Sequence, residues 1–372
     1  MINGIIIDDA LQRLFSGYPR TAEIMDFYQE VKNDVSEHAE DLLIAGTAKT
    51  PEAAVKAAVA SLGDLNEVLQ LISRGKTQPT PSESGVNAAN NTQPAFTQSF
   101  DIAAVQNLDL AIGFGTVNFQ QSPDNALHIR QDQKPELAAY RLALVQDGPT
   151  LHLKVANVSW LHYLTPFGHP HSTVTIALPK AFAGDISGQV SAGLLNFTNF
   201  QTKANFNLTI KASNTKVDQV QANNMNILLS AGNFKADGLI TATLTVHTKA
   251  SNIRLIGVQG QMDIAAHSGT IKAQDLSGFG SFSAHSGTIK AAWTKVNGDL
   301  HFSAHSGTVN VQTPADADFK FSLQARSGAV KLKRPAHYDL QVTGAAMGTT
   351  TNGNEPIYQL TATANSGTVV IA

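Results

Sequence analysis

Three histidines stand at one position of a recurring tetrapeptide. Ala-His-Ser-Gly ends at Gly269, Gly287 and Gly307, which aligns His267, His285 and His305, and Arg326 takes the same place in the next copy, ARSG. Imidazoles set side by side by a repeat suit two chemistries. Neutral rings ligate Zn²⁺ or Ni²⁺. Protonated rings repel by about 1 kcal/mol per pair in water, which would make the column a pH sensor whose acidification lowers stability. The plainer reading is a solvated turn residue that recurs because the turn recurs. A second series is Lys272, Lys290 and Lys331, interrupted by Asn310 and with Lys333 and Arg334 nearby. Such a column can bind anionic lipid head groups or teichoic acid, or simply keep a β surface from aggregating. The third stretch runs from Trp160 to His171. Its His162, His169 and His171 are metal-ligand types, and Trp160, Tyr163 and Phe167 suit a lipid interface. The alternative is an irregular crossover whose aromatics plug the core.

The elements that carry these residues follow from alternation. Strand side chains point to opposite faces in turn. After each Ser-Gly, Ile271, Ile289, Val309, Val330 and Val369 therefore form an inward column, with Thr and Lys outward. Before it, Ile264, Phe282, Phe302 and Leu323 point inward, as do Ala266, Ala284, Ala304 and Ala325 two places on. A second turn falls at Leu276 and Val296. One rung is strand, turn, strand, turn, with Gly269, Gly287, Gly307, Gly328 and Gly367 as structural turn residues. The spacings are 18, 20 and 21 residues, then 39, read as two rungs. Fainter markers at Ala192-Gly193, Ser213-Asn214, Ala231-Gly232 and Ser251-Asn252 extend the array back to about residue 190, with Asn standing in for Gly because both tolerate positive φ. The last strand, Thr368 to Ile371, is expected to leave a free edge.

Composition agrees with stacking. Hydrophobic residues make up 42%, charged residues only 15%, and there is no cysteine, which excludes disulfides and thiolate sites. No membrane-length apolar run, secretory signal or anchor is legible. Residues 1–75 hold 6 Lys/Arg against 12 Asp/Glu. They read as an acidic α-helical module. Ile5 to Phe15 is a short helix. Ile24, Phe27, Val31, Val35, Ala39 and Leu42 line a second, and Thr50 caps a third that begins at Pro51 and stops at Gly63. Asp64 to Glu67 forms a capping box for a last helix. Residues 76–95 read as a flexible linker rich in Pro, Ser, Asn and Gln. Residues 96–372 read as a β-repeat domain. The fold class is thus mixed and mainly β: a small helical bundle, a linker and a β-solenoid-like body. Scattered Asp residues and the absence of a nucleophile elbow, phosphate loop or H-E-x-x-H argue against catalysis, a cofactor or a nucleic-acid face.

The order VTIALPKAF, DISGQVSAG and then SGT-strand repeats resembles the candidate-adhesin β-repeat family of the DUF4097 type, over roughly residues 100–372. SEHAEDLLIAGTAKTPEAAVKAAVASLGDLNEVL is similar to small helical modules of Gram-positive sensory proteins. Together they resemble the daptomycin-sensing surface proteins of the LiaFSR envelope-stress system. That resemblance implies a non-enzymatic protein at the cell surface, with antimicrobial peptides and membrane stress-signalling proteins as partners. Two other readings stay open: a cytoplasmic structural or interaction protein, and a carbohydrate-active enzyme on a β-solenoid.

Overall fold

A computed structural model describes residues 4–18, 24–25, 28, 31–32, 35–36, 39, 42–43, 48–60, 94–133, 140–156, 172–350 and 358–372. The chain divides into two compact units. Described residues of the first lie between Gly4 and Ala60, and those of the second between Pro94 and Ala372.

The first unit is helical. Gly4–Phe15 is one helix and Pro51–Ala60 another, and every described residue from Ile24 to Leu43 is helical. Ile7, Leu11, Ile24, Val31, Val35, Ala39, Ala54, Val55 and Ala58 share one buried core. Leu42 is half-buried. Thr50 caps its helix as expected: its Oγ1 accepts the Ala53 N–H at 3.2 Å and its carbonyl the Ala54 N–H at 3.0 Å. Phe27, Gly63, the capping box from Asp64 and residues 76–93 of the expected linker lie outside the described residues, while its last two residues, Pro94 and Ala95, already belong to the strand Pro94–Asp101, so the linker does not extend to residue 95.

The second unit is a stack of parallel strands. Asp185–Gln201, Asn205–Gln221, Asn224–Asp237, Ile240–Ile256, Gln259–Ser268, Ile271–Ser286 and Ile289–Ser306 pair parallel up the stack, Ile240–Ile256 meeting both of the next two strands, with register shifts after Ile240 and between Ala273 and Gly280. The expected inward columns are buried: Ile271, Ile289, Val309 and Val369 after the corner, and Ile264, Phe282, Phe302 and Leu323 before it. Val330, on the outermost short strand, is only half-buried. No rung can bury its own apolar face, so each depends on its neighbours. Part of the core is aromatic: the Phe119 and Phe197 rings stack at 4.8 Å, and Phe206 meets both edge-on.

Corner geometry explains the glycines. Gly193, Ser213, Gly232, Ser251, Gly269, Gly287, Gly307, Gly367 and Gly328 follow one another up the stack. Gly287 has φ of +150° and Gly307 +146°, and a Cβ on either would be driven into the carbonyl oxygen of the glycine one rung below. Asn does not stand in for Gly here. The residues in register with glycine are Ser213 and Ser251, and neither Asn214 nor Asn252 has positive φ. These asparagines instead bond along the stack: Asn214 Oδ1 accepts the Asn233 N–H, and Asn252 Oδ1 accepts the Thr270 N–H, each at 3.1 Å. The second corner is a column of positive φ at Asn199, Gln219, Gly238, Gly257 and Asp275, so the turn sits one residue before Leu276. Near Val296 the ladder bulges: Gly278 pairs with Val296 but Gly280 with Leu300, which accounts for the longer spacing between Gly287 and Gly307.

Both ends of the stack depart from chain order. Asn107–Ile112 and Thr116–Gln121 pair directly with Asp185–Gln201, and the later strands Thr150–Val155 and Ser172–Leu178 lie outside them. At the other end, Tyr358–Ser366 and Val369–Ile371 insert between the rung ending at Gln312 and the one formed by Phe319–Ser327 and Val330–Leu332. The final strand is therefore paired on both sides, and the expected free edge at its end does not exist. The 39-residue spacing is one rung, a hairpin (Ala336–Val342 with Ala345–Thr350) and a return. Antiparallel strands cover each end: Pro94–Asp101, Ala126–Gln133 and Ala143–Asp147 at one, and that hairpin at the other. Such covers blunt exposed edges.

Candidate functional site

The surface chemistry of the second unit is laid out in ladders, because each outward position repeats once per rung. His267, His285 and His305 are exposed at the glycine corner, and their rings stack face to face, with centroids 4.7 and 4.6 Å apart and planes within 5°. Parallel rings direct their nitrogens the same way, and a Zn–N bond is only about 2.0–2.1 Å, so neighbours at this separation do not converge on one ion. Among the described residues, no group of three or more His, Asp or Glu is placed to hold a metal. Arg326 does not follow His305 directly. Ala304 and Ala325 both pair with Ala364, which places Asn365 between the two. On the other side Lys249 precedes His267, between the pairs Thr248 with Ala266 and Ala250 with Ser268.

The lysine column is longer than the sequence motif. Lys290 pairs with Lys272 and Lys272 with Arg254, and the register continues through Lys235 to Lys216. In the other direction it breaks at Asn310 and again at Val370 before reaching Lys331. Lys272, Lys290 and Lys331 are all exposed. Lys331 thus stands apart from Lys272 and Lys290. Arg334 is not a free surface charge. Its guanidinium donates to Thr313 Oγ1 at 2.7 Å and to the carbonyls of Pro314, Ala315 and Ala317 at 3.3, 3.2 and 2.7 Å, and lies 5.9 Å from the Phe319 ring centre. Burial pulls its pKa below the usual arginine range, against the pull of Asp318 and Asp316. Trp160, His162, Tyr163, Phe167, His169 and His171 lie outside the described residues.

Two features were not singled out from sequence. His128 Nδ1 lies 2.7 Å from Ser99 Oγ, and its Nε2 lies 2.7 Å from Asp124 Oδ1. The trio has the residue types of a hydrolase triad, but the carboxylate sits on Nε2 and the serine on Nδ1, the reverse of the catalytic order. Asp124 is held below the usual carboxylate range first by the Ala126 N–H and then by His128, which makes it a turn-closing residue. The second is a depression of about 420 Å³ between residues 102–107 and 181–185, in which Asp185 is the one ionisable side chain among the described residues. The first brings a hydroxyl, an imidazole and a carboxylate together, but on the wrong ring nitrogens for the usual proton relay, and the second holds a carboxylate alone among its described lining residues.

Parallel rungs, corner glycines and ladder-faced flanks define a stacked β-repeat scaffold. The Toastrack DUF4097 family model matches residues 105–372, and the chain belongs to that family. Among solved structures it is similar to a candidate cell adhesion protein from Clostridium sporogenes, at 10% identity over 75% of this chain and 99% of that one, with a TM-score of 0.24. It is likewise similar to a candidate lipid binding protein from Parabacteroides distasonis (14% identity, 76% and 98% coverage, TM-score 0.42). A candidate adhesin from Bacteroides fragilis matches at 14% identity, 74% and 96% coverage and a TM-score of 0.28. A search of curated proteins finds no match. Among the described residues, no helix is long and apolar enough to cross a membrane.

Proposed function

We propose that this is a non-catalytic binding protein of the bacterial cell envelope. It senses membrane-active antimicrobial peptides through its acidic helical unit and regulates a membrane stress-signalling complex through its β unit. The observation that carries the reading is the layout of the β surface. Polar side chains stand in open ladders such as His267, His285 and His305, which suits contact with an extended partner better than turnover of a small substrate. The charge division supports it: residues 1–75 carry a net charge of −6, which attracts cationic peptides at a range set by salt.

Titration of the full chain with a cationic amphipathic peptide, followed by calorimetry, tests the sensing step. Binding that weakens as salt rises, with none for a neutral peptide of the same length, is expected. No binding at low ionic strength would overturn it.

A further inference from the structure

We infer that the face carrying Lys216, Lys235, Arg254, Lys272 and Lys290 binds a linear phosphodiester polymer of polyols, lying along the stack and across the strands. Successive rungs bring these five cations into a single file. At about 4.8 Å per rung the file is about 19 Å long. Lys216 is paired with Asp218 at 2.9 Å, and Asp237, two residues on from Lys235, is in register with Asp218. Beyond them the accompanying column becomes Ile256, Gln274 and Ala292. Among the described residues, no carboxylate pairs with Arg254, Lys272 or Lys290. These three, with Gln274, Asn310 and Gln312, line a groove of about 320 Å³.

The shape of the charge selects the ligand. A file one residue wide fits one anionic chain, whereas a bilayer presents a plane of head groups. The columns on either side hold no aromatic residue, so bases have nothing to stack on. They hold Asn252, Thr270 and Thr288 on one side and Gln274 on the other, which can hydrogen-bond polyol hydroxyls. Arg254 supplies a fork for one phosphate, and the lysines supply charges on flexible stems that tolerate a repeat unequal to the rung step.

The inference rests on the envelope reading only for where such a polymer would be met, because it uses the β surface and not the helical unit. The test measures binding of the full chain to deacylated poly(glycerol phosphate) as a function of salt. Three unpaired cations predict a slope of log K against log salt of about −2. R254Q/K272Q/K290Q should lose at least about ten-fold in affinity and flatten that slope. R254K/K272R/K290R should retain binding, as should K211Q/K249Q on the neighbouring corner. Equal losses in the two Gln variants, no binding at low salt, or tighter binding to phosphatidylglycerol vesicles or single-stranded DNA than to the polymer would each overturn it. Failure here leaves peptide sensing standing, and failure of peptide binding leaves this site standing.

Discussion

Gly367 lies directly on Gly307, although a rung and a hairpin separate them in the chain. The Gly307 N–H donates to the Ser366 carbonyl at 2.9 Å, and the Gly367 N–H to the Ser327 carbonyl at 3.0 Å. The end of the chain is thereby locked inside the stack. Hydrogen exchange should show Val369 protected to the same degree as Val309, since Val309 donates to Thr368 and Val369 to Ala329. Exchange of Val369 at the rate of a frayed terminus would contradict the insertion.

The corner column makes a second prediction. Gly307→Ala introduces a Cβ at positive φ and against the Gly287 backbone, and should cost roughly 1–3 kcal/mol, read as a lower melting temperature. Ser213 is in register with Gly193 yet already carries a Cβ and donates from its Oγ to the Gly193 carbonyl at 2.7 Å. Ser213→Ala should therefore cost no more than about 1 kcal/mol. Equal effects of the two substitutions would refute the steric account.

Arg334, in the bend between Val330–Leu332 and Ala336–Val342, ties down three backbone carbonyls of residues 314–317. Arg334→Met should destabilise the β unit by roughly 1–3 kcal/mol, because hydrogen bonds to charged groups are the strong ones. Arg334→Lys should recover only part of this, since an ammonium lacks the planar fork. An unchanged melting temperature in both variants would show the clamp to be idle.

In the helical unit, Lys32 Nζ lies 2.6 Å from Asp8 Oδ1, and the Tyr28 hydroxyl donates to the same oxygen at 2.8 Å. Lys32 and then Tyr28 hold the Asp8 carboxyl below the usual carboxylate range. A depressed pKa adds stability above the unfolded value of about 3.9, and that stability is lost as pH falls through the folded value. Helical-unit stability should thus be insensitive to this group near neutrality and fall on acidification below about pH 4. Asp8→Asn should remove that part of the acid dependence. An acid limb identical in the variant would contradict it.

Much of the β unit was legible because its repeat is short and its corner needs glycine. Gly269, Gly287 and Gly307 set the register, and alternation then placed Ile271 and Phe282 inside. What escaped shows the reach of such reasoning. A repeat specifies register but not the order of rungs, so the insertion of Thr368 to Ile371 ahead of Val330 had no local signal. Asn214 and Asn252 were misassigned because Asn both tolerates positive φ and caps a neighbouring N–H, and here it does the latter. Lys216, Lys235 and Arg254 were missed although their 19- and 18-residue intervals carry the column, because their rungs lack the His-Ser-Gly corner that marks the later ones.

An envelope binding scaffold must be exposed on intact cells, and that exposure is the most direct test. Protease shaving and antibody labelling of the β unit, beside a cytoplasmic control, should reach this protein while leaving the control untouched. A protein that stays protected and fractionates with the control would contradict the account and return the β unit to an intracellular partner.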